Sequence, residues 1–215
     1  MTIKFNRKFL ASLIIAGGFF GLYAAFTITM NKIELIANPN FVPTCNINPW
    51  LDCGTVMKSK WGTLFGFPNS IAGVGLYSMA LLTGVTLWFN DTLNPRFIKL
   101  CTILAGLGFV GNNILTYISS SIIFALCPWC LLAHSATTVI FFSLLTYLIT
   151  QKQLFKDEAR SEKWKDRVEK GWSIGFTILY MLLVIGYVLT IYELYSNSII
   201  RESLPDPIFW LWGKK

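Results

Sequence analysis

Long apolar runs alternate with short polar breaks along this chain. Five runs stand out, at residues 9–30, 71–89, 98–118, 122–149 and 172–194. Each approaches or exceeds the roughly 20 residues that a helix needs to cross a bilayer. The pattern predicts five transmembrane helices. The run at 122–149 is long enough to tilt or to begin above the hydrocarbon. The first run follows Lys4, Arg7 and Lys8 as a signal peptide would, but its apolar core is too long for one. No small-residue cleavage pattern follows it, so it reads as a retained helix.

The breaks are as informative as the runs. Segment 31–68 carries Pro39, Pro43, Pro49 and Gly54, which predict irregular structure. Its stretch KWGTLFGF, apolar and aromatic with a charged end, suits the membrane interface. Asn69 and Ser70 then start the second helix, where Gly73 and Gly75 allow close helix approach. Asn69 suits either a helix cap or a hydrogen bond to a ligand between helices. Segment 151–171 is strongly charged and reads as a solvated linker with helical character. The predicted organisation is a four-helix core at 1–150 with the loop 31–68, a basic linker at 151–171, a fifth helix at 172–195 and a tail at 196–215. The end of that tail, FWLWGKK, reads as an anchor at the outer interface.

Composition agrees with a membrane protein. Charged residues make up 13% of the chain and hydrophobic ones 54%, against about 25% charged in soluble domains. The net charge of +7 therefore does not point to nucleic acid; in a bilayer the placement of Lys and Arg matters more than their sum. Of the 18 basic residues, twelve fall on the side of the N-terminus and six on the other. The positive-inside rule then makes the N-terminus cytoplasmic and loop 31–68 external.

This topology places chemistry. Cys45 and Cys53 form a C-x7-C pair in the external loop. Cys127 and Cys130 form CPWC at the external end of the fourth run. Cys101 stands alone near the cytoplasmic end of the third, where a small inert buried thiol is the default. A zinc site would hold four cysteines, but the seven-residue gap is wrong for a zinc ribbon. Pro128 suits the first position of a helix, which places the sulfurs of CPWC at the positive end of its dipole and favours thiolate. A bridge across so small a loop stabilises little, so CPWC reads as a redox switch. Cys45 and Cys53 either shuttle electrons from a soluble partner to CPWC or merely tie the loop. Cys127, Cys130 and His134 share one helical face. His134, the sole histidine, is either a functional group, as ionisable residues in membrane helices often are, or a hydrogen-bond partner of a neighbouring helix.

Taken together, C-x7-C, S-K-W-G at 59–62, N-S-I-A-G at 69–73 and C-P-W-C at 127–130 resemble vitamin K epoxide reductase and its bacterial homologues, over about residues 10–150. The resemblance implies an all-α integral membrane fold: four transmembrane helices around a quinone, plus a fifth helix found in many bacterial members. It implies that Cys130 lies nearest the quinone and that Cys127 exchanges with the loop. Cys53 would bridge transiently to Cys127, and Cys45 would take attack by a partner's thiol. Asn69 would hydrogen-bond a quinone carbonyl, and Ser59 and Trp61 would cover the pocket. Animal members carry a Tyr four residues after the second CPWC-type cysteine. Here that residue is His134, expected to hydrogen-bond the ring in its place. Many bacterial members continue into a thioredoxin-like domain, whereas this sequence stops at Lys215, so the expected donor is a separate periplasmic thioredoxin-like dithiol oxidase.

The implied activity is thiol:quinone oxidoreduction supporting disulfide formation. It would sit in a bacterial inner membrane, facing the periplasm, with ubiquinone or menaquinone as acceptor and neither metal nor nucleic acid. Epoxide reduction, the animal role, does not suit a chain of bacterial-type topology. The other membrane disulfide-oxidase family carries its two cysteine pairs in the reverse order. A transmembrane thiol carrier would want cysteines reachable from both sides, and lone Cys101 supports that poorly. The alternative from another class is a transporter or assembly subunit with two structural disulfides.

Overall fold

The computed structural model of the 215-residue chain describes residues 6–48, 50–64, 66–90, 93–152, 154 and 158–196. The 196–215 tail, apart from its first residue, lies outside them. Asn6 accepts a hydrogen bond from the Lys8 N–H and caps α1, Arg7–Ala37. Helix α2 (Cys53–Lys58) and a 3-10 turn (Lys60–Thr63) follow, then α3 (Asn69–Phe89), α4 (Pro95–Ile118), α5 (Pro128–Thr150), α6 (Glu158–Glu169) and α7 (Trp172–Ser196). Helices α1, α3, α4, α5 and α7 are each long and apolar enough to span a bilayer. The chain is a multi-pass membrane protein.

Two elements depart from the pattern of apolar runs. Helix α1 continues to Ala37, beyond the run at 9–30. Ile33, Leu35 and Ile36 keep its last turns apolar, and Leu35 is buried against the cysteines. The run at 122–149 is not one helix. Residues Ser119–Ile123 form a π-helical turn at the end of α4, and Phe124 then turns left-handed at φ 54°. Ser119 holds this reversal by donating its hydroxyl to the Ala125 carbonyl. Pro128, which has no N–H to give, starts α5.

Helix α1 is the centre of the bundle, packed between α3 and α5, while α4 leans on α5 and hardly touches α3. Small residues make the α1–α3 seam. A Cβ on Gly18 would stand 2.9 Å from the Leu81 backbone, and one on Gly21 would stand 2.3 Å from the Tyr77 ring. Gly73 also faces α1, near Ala25, but Gly75 meets nothing within 4 Å. Such seams replace the hydrophobic effect, which drives little between helices in lipid. Arg7 closes the opposite end of the bundle by donating to the carbonyls of Leu87 and Asn90.

Candidate functional site

The site is built at the end of the bundle where α1 ends and α3 and α5 begin. Asn48 folds the loop by accepting the N–H groups of Trp50 and Leu51. Asp52 caps α2, accepting from the Thr55 N–H at 3.0 Å. Leu51 pairs in parallel with Leu126, and the Leu126 N–H donates to the Trp50 carbonyl at 2.6 Å. That pairing draws the loop onto the segment just before CPWC. Cys45 and Cys53 are joined in a disulfide with Cα atoms 5.8 Å apart. Cys53 and Cys127 are both fully buried, and Cys45, Cys53, Cys127 and half-buried Cys130 pack in one cluster. The structure thus brings all four predicted cysteines together.

Cys127 and Cys130 are thiols here. Cys127 is the residue before the first turn of α5, in extended conformation. The hydrogen bond from the Cys130 thiol holds its pKa below the ordinary value. Burial opposes this, the backbone N–H groups of Cys130 and Trp129 add to it, and Asp52 works against it. The helix start therefore favours a thiolate, and it does so at Cys127.

Beside the cluster lies a cavity of about 160 Å³, of the order that holds a benzene-sized ring. Cys127 and Cys130 are in its wall, as are Ser59, Trp61 and Asn69. The segment KWGT forms a lid on it, with Trp61 and Gly62 in the wall. Asn69 is occupied with that lid: its amide donates to the Trp61 carbonyl at 2.7 Å and accepts from the Leu64 N–H at 2.9 Å. Pro68, not Asn69, takes the cap position of α3. One amide hydrogen of Asn69 remains for another acceptor. A second, larger cavity of about 440 Å³ fills the gap between α3 and α4 and shares Trp61, Asn69, Tyr77 and Asn112 with the first.

His134 is not brought to either cavity. It is buried, with Nδ1 at 2.8 Å from the Thr116 hydroxyl and Nε2 at 2.7 Å from that of Tyr180 on α7. Both ring nitrogens are engaged by neighbouring helices, the alternative that the sequence left open, so the expected hydrogen bond to a ring in the cavity has no free nitrogen. The polar groups that do line the first cavity, besides those expected, include Lys32, Tyr77, Asn112 and Thr116. The Tyr77 hydroxyl donates to the Ala133 carbonyl at 2.8 Å, and Lys32 donates to the Met57 carbonyl. A polar residue inside an apolar run is itself a signal, and it could have flagged Tyr77, Asn112 and Thr116. Cys101 is buried against the Thr83 hydroxyl, 3.7 Å away. Among the described residues no three His, Cys, Asp or Glu side chains come together to hold a metal ion.

An apolar cavity with a dithiol in its wall, a disulfide packed behind that dithiol and a membrane bundle around both fit a thiol–quinone exchange. The family model for the vitamin K epoxide reductase family matches residues 12–145, well over half of the chain. That span holds α3, α4, all four clustered cysteines and the lid, and most of α1 and α5. The chain belongs to the vitamin K epoxide reductase family, a family of membrane oxidoreductases that use quinones.

Proposed function

We propose that this protein oxidises a separate thioredoxin-like dithiol protein and passes the two electrons to a membrane quinone. The supporting observation is the single buried cluster that joins the Cys45–Cys53 disulfide to Cys127, at the wall of a ring-sized cavity. The lining fits a quinone: mostly apolar, with sulfur at one side and amide and hydroxyl groups around it. The adjoining gap between α3 and α4 offers room for an apolar tail.

In this reading a partner thiolate attacks Cys45 and releases Cys53. The partner's second thiol then attacks the mixed disulfide, leaving as oxidised partner and freeing Cys45. Cys53 attacks Cys127 of a Cys127–Cys130 disulfide, which frees Cys130. Cys45 next attacks Cys53, restoring the loop disulfide and freeing Cys127. Two electrons then leave the Cys127–Cys130 pair together with the Cys130 proton, its disulfide re-forms, a second proton enters from water, and the quinone departs as quinol. Cys127 is held as thiolate by its neighbour's S–H, and Cys130 keeps a proton for delivery. Asn69, with one amide hydrogen left, and Lys32 stand where charge develops. Residues 1–150 carry this chemistry, 151–171 form a cytoplasmic linker and 172–195 the fifth span. The membrane is a bacterial inner membrane, with the cysteine end in the periplasm.

The test is quinone consumption by the purified protein with a reduced thioredoxin-like oxidase. The expected result is turnover that Cys130→Ser abolishes. Cys53→Ser, which leaves no loop disulfide for the partner to attack, should also stop turnover. Folded wild-type protein that consumes no quinone would favour two structural disulfides instead.

A further inference from the structure

Helix α7 lies outside the matched residues 12–145, and most of its large apolar side chains are exposed. It is held to the core by hydroxyl groups. Ser173, Tyr180 and Tyr187 recur every seven residues and so form one stripe. Ser173 accepts from Thr146 at 2.9 Å, and Tyr187 bonds Ser121 at 2.6 Å. Tyr180 reaches deepest, to His134 and Asn113.

The Asn113 amide N–H donates to the Phe109 carbonyl at 2.8 Å, which turns its Oδ1 toward Tyr180. Tyr180 therefore donates its only proton to Asn113 at 2.7 Å. Thr138 has its own proton on the His134 carbonyl and does not donate to Tyr180. The Tyr180 oxygen is left to accept from His134 Nε2–H. Helices α4 and α5 contain no carboxylate, and Glu193 is near the far end of α7. A buried imidazolium here would have no counter-charge, so the ring is neutral. A neutral ring with its proton on Nε2 has only a lone pair on Nδ1. The Thr116 hydroxyl must then donate to Nδ1, across 2.8 Å. Any bond that Thr116 makes toward the cavity is one that it accepts.

We propose that Tyr180 is a positioning residue for the cavity: through His134 it fixes Thr116 as an acceptor, which favours a ligand hydroxyl over a ligand carbonyl. On the quinone reading above, on which this rests, the wall then holds the quinol more tightly than the quinone and draws the reaction forward. Removal of the Tyr180 hydroxyl frees Nε2. The ring proton moves to Nδ1, Nδ1–H donates to Thr116, and the Thr116 proton turns to the cavity.

Direct binding tests this without turnover. The full chain is reconstituted in nanodiscs with Cys127–Cys130 held as a disulfide. Ubiquinone-1 and ubiquinol-1 are titrated, and binding is read from quenching of tryptophan fluorescence, since Trp61 lines the cavity. Tyr180→Phe should raise the Kd for the quinol about 2- to 10-fold, the worth of one hydrogen bond, and lower that for the quinone. Thr116→Val leaves the α7 contacts untouched and should weaken the quinol alone, whereas Thr116→Ser should behave as wild type. Unchanged constants, or both ligands weakened by one factor, overturn the proposal. Wild-type protein that binds neither ligand overturns the quinone reading itself, before any variant is made.

Discussion

At the residue scale the two CPWC sulfurs are not equivalent. Cys127 stands before the helix and takes hydrogen bonds from the Cys130 thiol and from the N–H groups of Trp129 and Cys130. Its folded pKa is depressed, so its thiolate persists as pH falls below the ordinary thiol value of 9.0 and is lost only when pH passes the folded value. With Cys101→Ala and Cys130→Ala, and the loop disulfide intact, Cys127 is the one free thiol. Its pKa, read from ultraviolet thiolate absorbance, should rise above that in a Cys130→Ser protein, where the hydroxyl still donates. Equal values in the two would show that the neighbour's proton does not matter. The sulfur positions were legible because cysteine spacing and a helix start are local facts. The place of His134 was not. It shares an azimuth with Cys127 and lies seven residues on, about 10 Å along the axis, where Thr116 and Tyr180 take both its nitrogens. Its partner Tyr180 is 46 residues away, on a helix whose docking no local spacing reveals.

At the element scale the seam between α1 and α3 is set by backbone contact. Gly18 faces the N and Cα of Leu81, both 2.9 Å from where a Cβ would stand. Backbone cannot move aside as a side-chain tip can. Gly18→Val should therefore separate α1 from α3 and destabilise the bundle by about 1–3 kcal/mol, the usual penalty of overpacking. The same change at Gly75, which meets nothing, should leave the melting temperature within error. Loss at both positions alike would mean that helix propensity, not packing, sets the effect. Five apolar spans were readable from hydropathy, because hydropathy reports what faces lipid. Which glycine faces which helix was not, since that depends on the rotation of each helix about its axis. The break in the 122–149 run was hidden for a related reason. Ile122–Leu126 is apolar without a gap, and the chain is turned there by the Ser119–Ala125 contact and the left-handed Phe124.

At the scale of the whole molecule the fold separates two surfaces. All four clustered cysteines, the lid and the first cavity lie at one end. The charged helix α6, with Lys152 paired to Glu162 and Lys170 to Asp166, lies at the other. On the proposed route a soluble dithiol partner meets the first end, so the direction of the bundle would decide which compartment is oxidised. The positive-inside count predicts a cytoplasmic α6. Single cysteines introduced at exposed Asn40 and exposed Arg160 report this directly. In intact spheroplasts a membrane-impermeant maleimide should label Asn40→Cys and leave Arg160→Cys unlabelled until the membrane is broken. The reverse pattern would place the site in a reducing compartment. There a loop disulfide such as Cys45–Cys53 would be reduced by the thiol pool rather than by one chosen partner, and the electron route proposed here would have no defined source.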